Sequence, residues 1–97
     1  MTGDLPSLDV HHDPAARRFS TRLEGHEAEL VYSLRAERMV IDHTGVPEVI
    51  GGRGVAAALV KAALDHARAQ GWRVVPACSY SAAYVQRHPE YADLVDA

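Results

Sequence analysis

Ile41-Asp-His-Thr-Gly-Val-Pro-Glu-Val-Ile50-Gly-Gly-Arg-Gly-Val-Ala-Ala-Ala-Leu59 carries an apolar strand through a short loop straight into an alanine-rich helix. Within the loop, Gly51, Gly52 and Gly54 let the backbone turn sharply and expose its amides without Cβ obstruction. The first turn of the helix that follows leaves N–H groups unpaired, and the helix dipole adds partial positive charge there. A junction of this kind is a site for a phosphate or pyrophosphate. It also serves as a plain strand-to-helix connection, so its surroundings decide between the two.

Outward from the loop, the period of the apolar residues changes. On the N-terminal side it is two. Ser7–His12 is expected as a short edge strand ended by Asp13-Pro14. Arg18–Leu23 places Phe19, Thr21 and Leu23 on one face, and Glu24-Gly25 makes a tight turn. His26–Leu34 aligns Ala28, Leu30, Tyr32 and Leu34. After a turn at Ala36-Glu37, Arg38–His43 returns as a more continuously apolar strand. On the C-terminal side, Val55, Leu59, Val60, Ala63, Leu64 and Ala67 form a helical stripe across a helix expected over Arg53–Gln70, with Gly71 as its C-cap. Trp72–Ala77 reads as a short strand, parallel to Arg38–His43 because a helix crosses over between them. A helix over Ser79–Arg87 and a last short helix from Pro89 through Val95 complete the order β-β-β-β-α-β-α(-α). The fold class is α/β (α+β), an antiparallel meander followed by a β-α-β crossover in one mixed sheet. Residues 1–6 are expected to form a flexible N-terminus, and 7–97 a single domain.

Composition bounds the function. A chain of 97 residues has room for one modest core. A net charge of −3 and scattered basic residues argue against a nucleic-acid partner. No apolar run approaches a membrane span, and the single Cys78 fits a reducing, cytoplasmic setting. The six histidines show no metal-ligand spacing, so no metal is expected. A monomer is expected, or a weak homodimer through the exposed edge strand.

Length and order also narrow the ligand. A dinucleotide fold would place its glycine turn after the first strand and needs further βα units. A Walker loop ends in Lys-Ser or Lys-Thr, whereas Gly54 is followed by Val55-Ala56. What remains resembles the GNAT N-acetyltransferase superfamily, whose acetyl-CoA loop Gln/Arg-x-x-Gly-x-Gly/Ala falls here on Gly51-Gly52-Arg53-Gly54-Val55-Ala56. The chain is most similar to a small single-domain branch of that superfamily. The shared segments are Arg18-Phe19, Leu30-Val31-Tyr32, His43-Thr44-x-Val46-Pro47, Pro76-x-Cys78-Ser79-Tyr80 and Tyr84-Val85-x-x-His88-Pro89-Glu90-Tyr91. The first loop position is Gln or Arg in the family and Gly51 here, so Arg53 is expected to supply the positive charge.

The resemblance implies acetyl-CoA as cofactor. Its pantetheine arm would lie between the splayed fourth and fifth strands and pair with backbone near Thr44, Val46 and Val49. Its pyrophosphate would meet the amides of Gly52 to Ala56. The acceptor would be an amine of unknown identity, on a small molecule or a protein. The alternative is a CoA-binding module with little transferase activity, since larger superfamily members carry two more C-terminal strands around the acceptor. Cys78 and His43 are the candidate catalytic residues: both are expected at ends of the splayed strands. Cys78 just ahead of a helix could ionise readily, and a nearby histidine could take its proton. Cys78 would then carry the acetyl group or protonate the leaving thiolate. Asp42 and Glu48 are the nearest carboxylates for a base. Against these stand the ordinary readings of a buried cysteine as a small hydrophobe and a strand-end histidine as a turn residue.

Overall fold

The computed structural model describes residues 8–95, so the N-terminal segment 1–6 and Ser7 lie outside the described residues. The elements are β1 (His11–Asp13), β2 (Arg18–Leu23), β3 (His26–Arg35), β4 (Arg38–Gly45), α1 (Val55–Gln70), β5 (Arg73–Pro76) and α2 (Ser79–Arg87). Short 3-10 segments lie at Glu48–Ile50 and Pro89–Leu94. The five strands form one sheet in sequence order, antiparallel through β4 and parallel between β4 and β5. The expected mixed sheet is therefore the observed one.

The hairpin turns explain the meander. Glu24 and Gly25 have φ of 52° and 80°, and Ala36 and Glu37 have 50° and 65°. Two consecutive left-handed residues give the turn whose twist matches that of paired strands. Alternation then buries Phe19, Thr21, Ala28, Leu30, Tyr32, Met39 and Ile41 on one face, where the apolar stripe of α1 covers them. The final 3-10 segment is tied to α1 as well. The Tyr91 hydroxyl donates to Asp65 at 2.7 Å, and Arg68 forks onto Asp93 at 3.0 and 3.1 Å.

Several boundaries differ from those expected. β1 starts at His11 and keeps Asp13, which pairs with Arg18, so the strand is shorter and later than Ser7–His12. α1 begins at Val55 because Gly54, at φ 80°, cannot join the right-handed helix. β4 continues beyond His43 to Gly45 because it keeps β3 as a partner through Glu29. β5 contracts from Trp72–Ala77 to Arg73–Pro76.

β1 is held by an aromatic cluster. The His12 ring stacks on Phe19 at 4.1 Å, meets His66 of α1 at 4.4 Å, and shares a 2.6 Å hydrogen bond with the Tyr32 hydroxyl. Burial, with the His66 ring beside it, lowers the His12 pKa from 6.5, while Asp13 opposes the shift. Folding then favours the neutral ring. This contribution is complete above the unfolded value and lost as pH falls below about 6.5. Urea midpoints should therefore decline on acidification through that range, and the decline should be shallower in His12→Phe. Parallel profiles for the two proteins would remove His12 as a cause.

Candidate active site

The site begins where β4 and β5 part. Their last pair is Ile41 with Pro76, yet β4 runs four residues further to Gly45. Pro76 has no amide to continue a ladder. The next two amides, of Ala77 and Cys78, both fold back onto the Ile41 carbonyl at 3.1 Å each. On the β4 side, Val31 pairs with His43 and Tyr32 with Ile41, which leaves Asp42 as the extra residue of a bulge. Proline on one strand and a bulge on the other open the sheet at this edge.

The bulge decides which side chains meet. Unbroken alternation from Met39 and Ile41 would put His43 on the inner face, towards Cys78. The extra residue shifts the phase, so Thr44 takes that face and its Oγ1 lies 3.5 Å from the Cys78 sulfur. His43 lies on the other face, against Gly45, where an added Cβ would come within 2.8 Å of its Nε2. The absence of a side chain at 45 makes room for the ring. Asp42 accepts from the Ser33 hydroxyl at 2.5 Å, and Glu48 is exposed on the 3-10 segment.

Cys78 is the N-cap of α2, with extended backbone at φ −89° and ψ 150°. Its thiol donates to Ser81 Oγ at 3.1 Å, and its sulfur accepts from the Ser81 amide at 3.4 Å. The Ser81 hydroxyl in turn donates to the Cys78 carbonyl at 3.0 Å. Burial pushes the thiol pKa up, but the bonds from Ser81, Thr44 and the first-turn amides outweigh it, and the net shift is downward. Sequence reading does not reach Ser81, because cysteine is not a usual capping residue and Ser81 is not the Glu or Gln of a capping box.

These contacts make a separable prediction. Ser81→Ala should raise the Cys78 pKa and slow its alkylation near neutral pH, whereas His43→Ala should leave the rate–pH curve where it is. A curve that moves in His43→Ala instead would return the proton to that ring.

The glycine loop sits one short segment beyond the opening. Val46 is half-buried, Ile50 anchors the 3-10 segment in the core, and Val49 stays 59% exposed. Gly51, Gly52, Arg53 and Gly54 are all exposed, with Gly52 at φ 76° and Gly54 at 80°. Gly54 caps a helix of 16 residues without any side-chain bond, and the first turn, Val55-Ala-Ala-Ala58, contains no acid. Val55 is buried and Ala56 half-buried, so these residues offer their amides and not polar side chains. An anion fits there: the orphan donors are aligned, and no neighbour in that turn carries negative charge. Arg53, expected to face the anion, instead forks onto Glu24 of the β2–β3 turn at 2.8 and 3.4 Å. Beside the loop, Ala57 of α1 and Tyr80, Ala83, Tyr84, Arg87 and His88 line an open groove of about 260 Å³. Tyr84 stacks on His88 at 3.9 Å and stiffens its wall.

The sequence and the fold both have relatives among known proteins. Residues 18–94 match the GCN5-related N-acetyltransferase family profile, and the chain belongs to that family. Among curated proteins it is similar to protein NATD1 of Mus musculus, 41% identical over 85 residues that cover 84% of this chain and 77% of that protein. NATD1 of Homo sapiens is 40% identical over 85 residues, covering 84% and 75%. The solution NMR structure of a GCN5-like protein from Staphylococcus aureus superposes with a TM-score of 0.72 at 28% identity, covering 92% of this chain and 88% of that one. Among the described residues, no helix is long and apolar enough to cross a membrane.

Proposed function

We propose that this protein is an acetyl-CoA-dependent N-acetyltransferase whose acceptor is an amine. The observation that carries the reading is the parting of β4 from β5 with the orphan amides of α1 at one end of the opening and the Cys78 sulfur in it. The bound cofactor would supply a thioester as acyl donor. The free β4 edge over Asp42–Gly45, continued by Val46 and Val49, would pair with an extended amide-bearing arm. The amides of Gly52 to Ala56 would hold the pyrophosphate.

In this reading Cys78 protonates the departing thiolate or first accepts the acyl group itself. As the acceptor nitrogen bonds to the carbonyl carbon, the carbon–sulfur bond breaks and the amine loses a proton. His43, exposed on the far face of β4, would take that proton from an acceptor approaching the uncovered side of the sheet.

Thermal melts with and without CoA test the cofactor, because a ligand bound only by the folded state raises the melting temperature. Intact mass after incubation with acetyl-CoA tests Cys78. A gain of one acetyl group marks a carrier, and CoA release upon adding amines without that gain marks a proton donor. Tight CoA binding with neither would leave a binding module. No shift with CoA would overturn the reading.

A further inference from the structure

The ion pair between Glu24 and Arg53 joins the β2–β3 turn to the glycine loop, two exposed segments far apart in the sequence. Glu24 sits at the first position of the β2–β3 turn, and Arg53 lies in the glycine loop 29 residues later. Arg53 is the only basic residue between Thr44 and Val60, a stretch that includes the whole loop and the start of α1. Its neighbours on both sides, Gly52 and Gly54, are left-handed, so the side chain leaves the loop from a short arch between two glycines. The fork of its guanidinium matches a carboxylate and a phosphate equally well. Both partners are about half exposed, so exchanging one anion for another costs little desolvation.

Like Ala36 and Glu37 of the second hairpin turn, Glu24 departs from the residue types its backbone favours. With φ at 52°, in a two-residue turn, the site favours Asn, Asp or Gly. A longer acid there forgoes local preference and reaches the loop. Its carboxyl is held below the ordinary carboxylate range by the Arg53 hydrogen bonds, so the pair persists at neutral pH.

We propose that Glu24 competes with the phosphates of the cofactor for Arg53, so that the β2–β3 turn sets the affinity of the glycine loop and its preference for phosphorylated ligands. The proposal rests on the reading of that loop as the pyrophosphate site. Without ligand, Glu24 holds the one loop cation away from the helix start. With ligand, the guanidinium crosses from carboxylate to phosphate and Glu24 is released to water. Glu24 thus lowers affinity for any phosphorylated ligand and leaves an unphosphorylated one untouched.

A double-mutant cycle tests this with CoA and with pantetheine, which has no phosphate. The four proteins are the wild type, Glu24→Gln, Arg53→Gln and the double variant, each checked for an unchanged melting temperature. Glu24→Gln should bind CoA roughly two- to fivefold more tightly, the scale of an exposed ion pair. In the Arg53→Gln background the same change should have at most half that effect on a logarithmic scale. Pantetheine should bind all four alike. Unchanged or weaker CoA binding by Glu24→Gln, or an equal gain in both backgrounds, would overturn the competition while leaving the cofactor assignment intact. Failure of all four proteins to bind CoA would overturn the cofactor assignment itself, and this proposal with it.

Discussion

Cys78→Ser is expected to bind CoA like the wild type and to lose acyl transfer by at least roughly a hundredfold, the low end for a missing acid–base group. A serine hydroxyl is barely ionised at neutral pH, so neither nucleophilic attack nor proton donation to a thiolate survives at a useful rate. The fold should not suffer. Cys78 caps α2 by accepting from the Ser81 amide, and serine is among the best residues for that role. The thiol is also only half-buried, so the smaller oxygen leaves little void. The glycine loop lies on another segment and is untouched. Equal melting temperatures and equal CoA shifts, together with lost CoA release in the presence of an amine, would separate chemistry from binding. Transfer at the wild-type rate would make Cys78 a packing residue and move the search for the reactive group to Asp42 and Glu48.

The legible and illegible parts of the molecule divide by range. Period two through Phe19, Thr21, Ala28, Leu30 and Tyr32, then period near four from Val55 to Ala67, named the sheet face and the helix stripe that cover each other. Gly71 marked the end of α1 because its left-handed φ of 75° is a local demand. The opening was half legible. Pro76 announces where β5 stops donating, but the bulge at Asp42 depends on how β3 aligns with β4. One extra residue there exchanges His43 for Thr44 beside the sulfur. The Glu24–Arg53 pair was beyond reach for the same reason, since each residue taken alone is an ordinary surface charge.

Gly54→Val should abolish the CoA-dependent rise in melting temperature, and the difficulty is to separate this from damage to the fold. At φ 80° a branched residue is strained whatever space surrounds it, and an added Cβ at 54 meets nothing within 4 Å. The left-handed backbone implies a cost of roughly 1–3 kcal/mol for this variant. For a domain of this size each kcal/mol lowers the melting temperature by about 4–8 °C. Gly71 supplies the matched control. Its φ is 75°, it too has nothing within 4 Å of an added Cβ, and it stands at the far end of α1. A helix of 16 residues puts roughly 24 Å between the two positions. Gly71→Val should therefore carry a similar strain and lose similar stability. At a CoA concentration about a hundredfold above Kd, binding stabilises by about 2.7 kcal/mol, well above the error of a melt. Gly71→Val should keep that whole increment above its own lowered baseline. Gly54→Val should lose it, because the side chain projects into the space through which a phosphate reaches the first-turn amides. Equal increments in the two variants would mean that no anion approaches the start of α1, and the phosphate site would have to be sought elsewhere on the molecule, first at Arg87 and His88 in the groove beside α2.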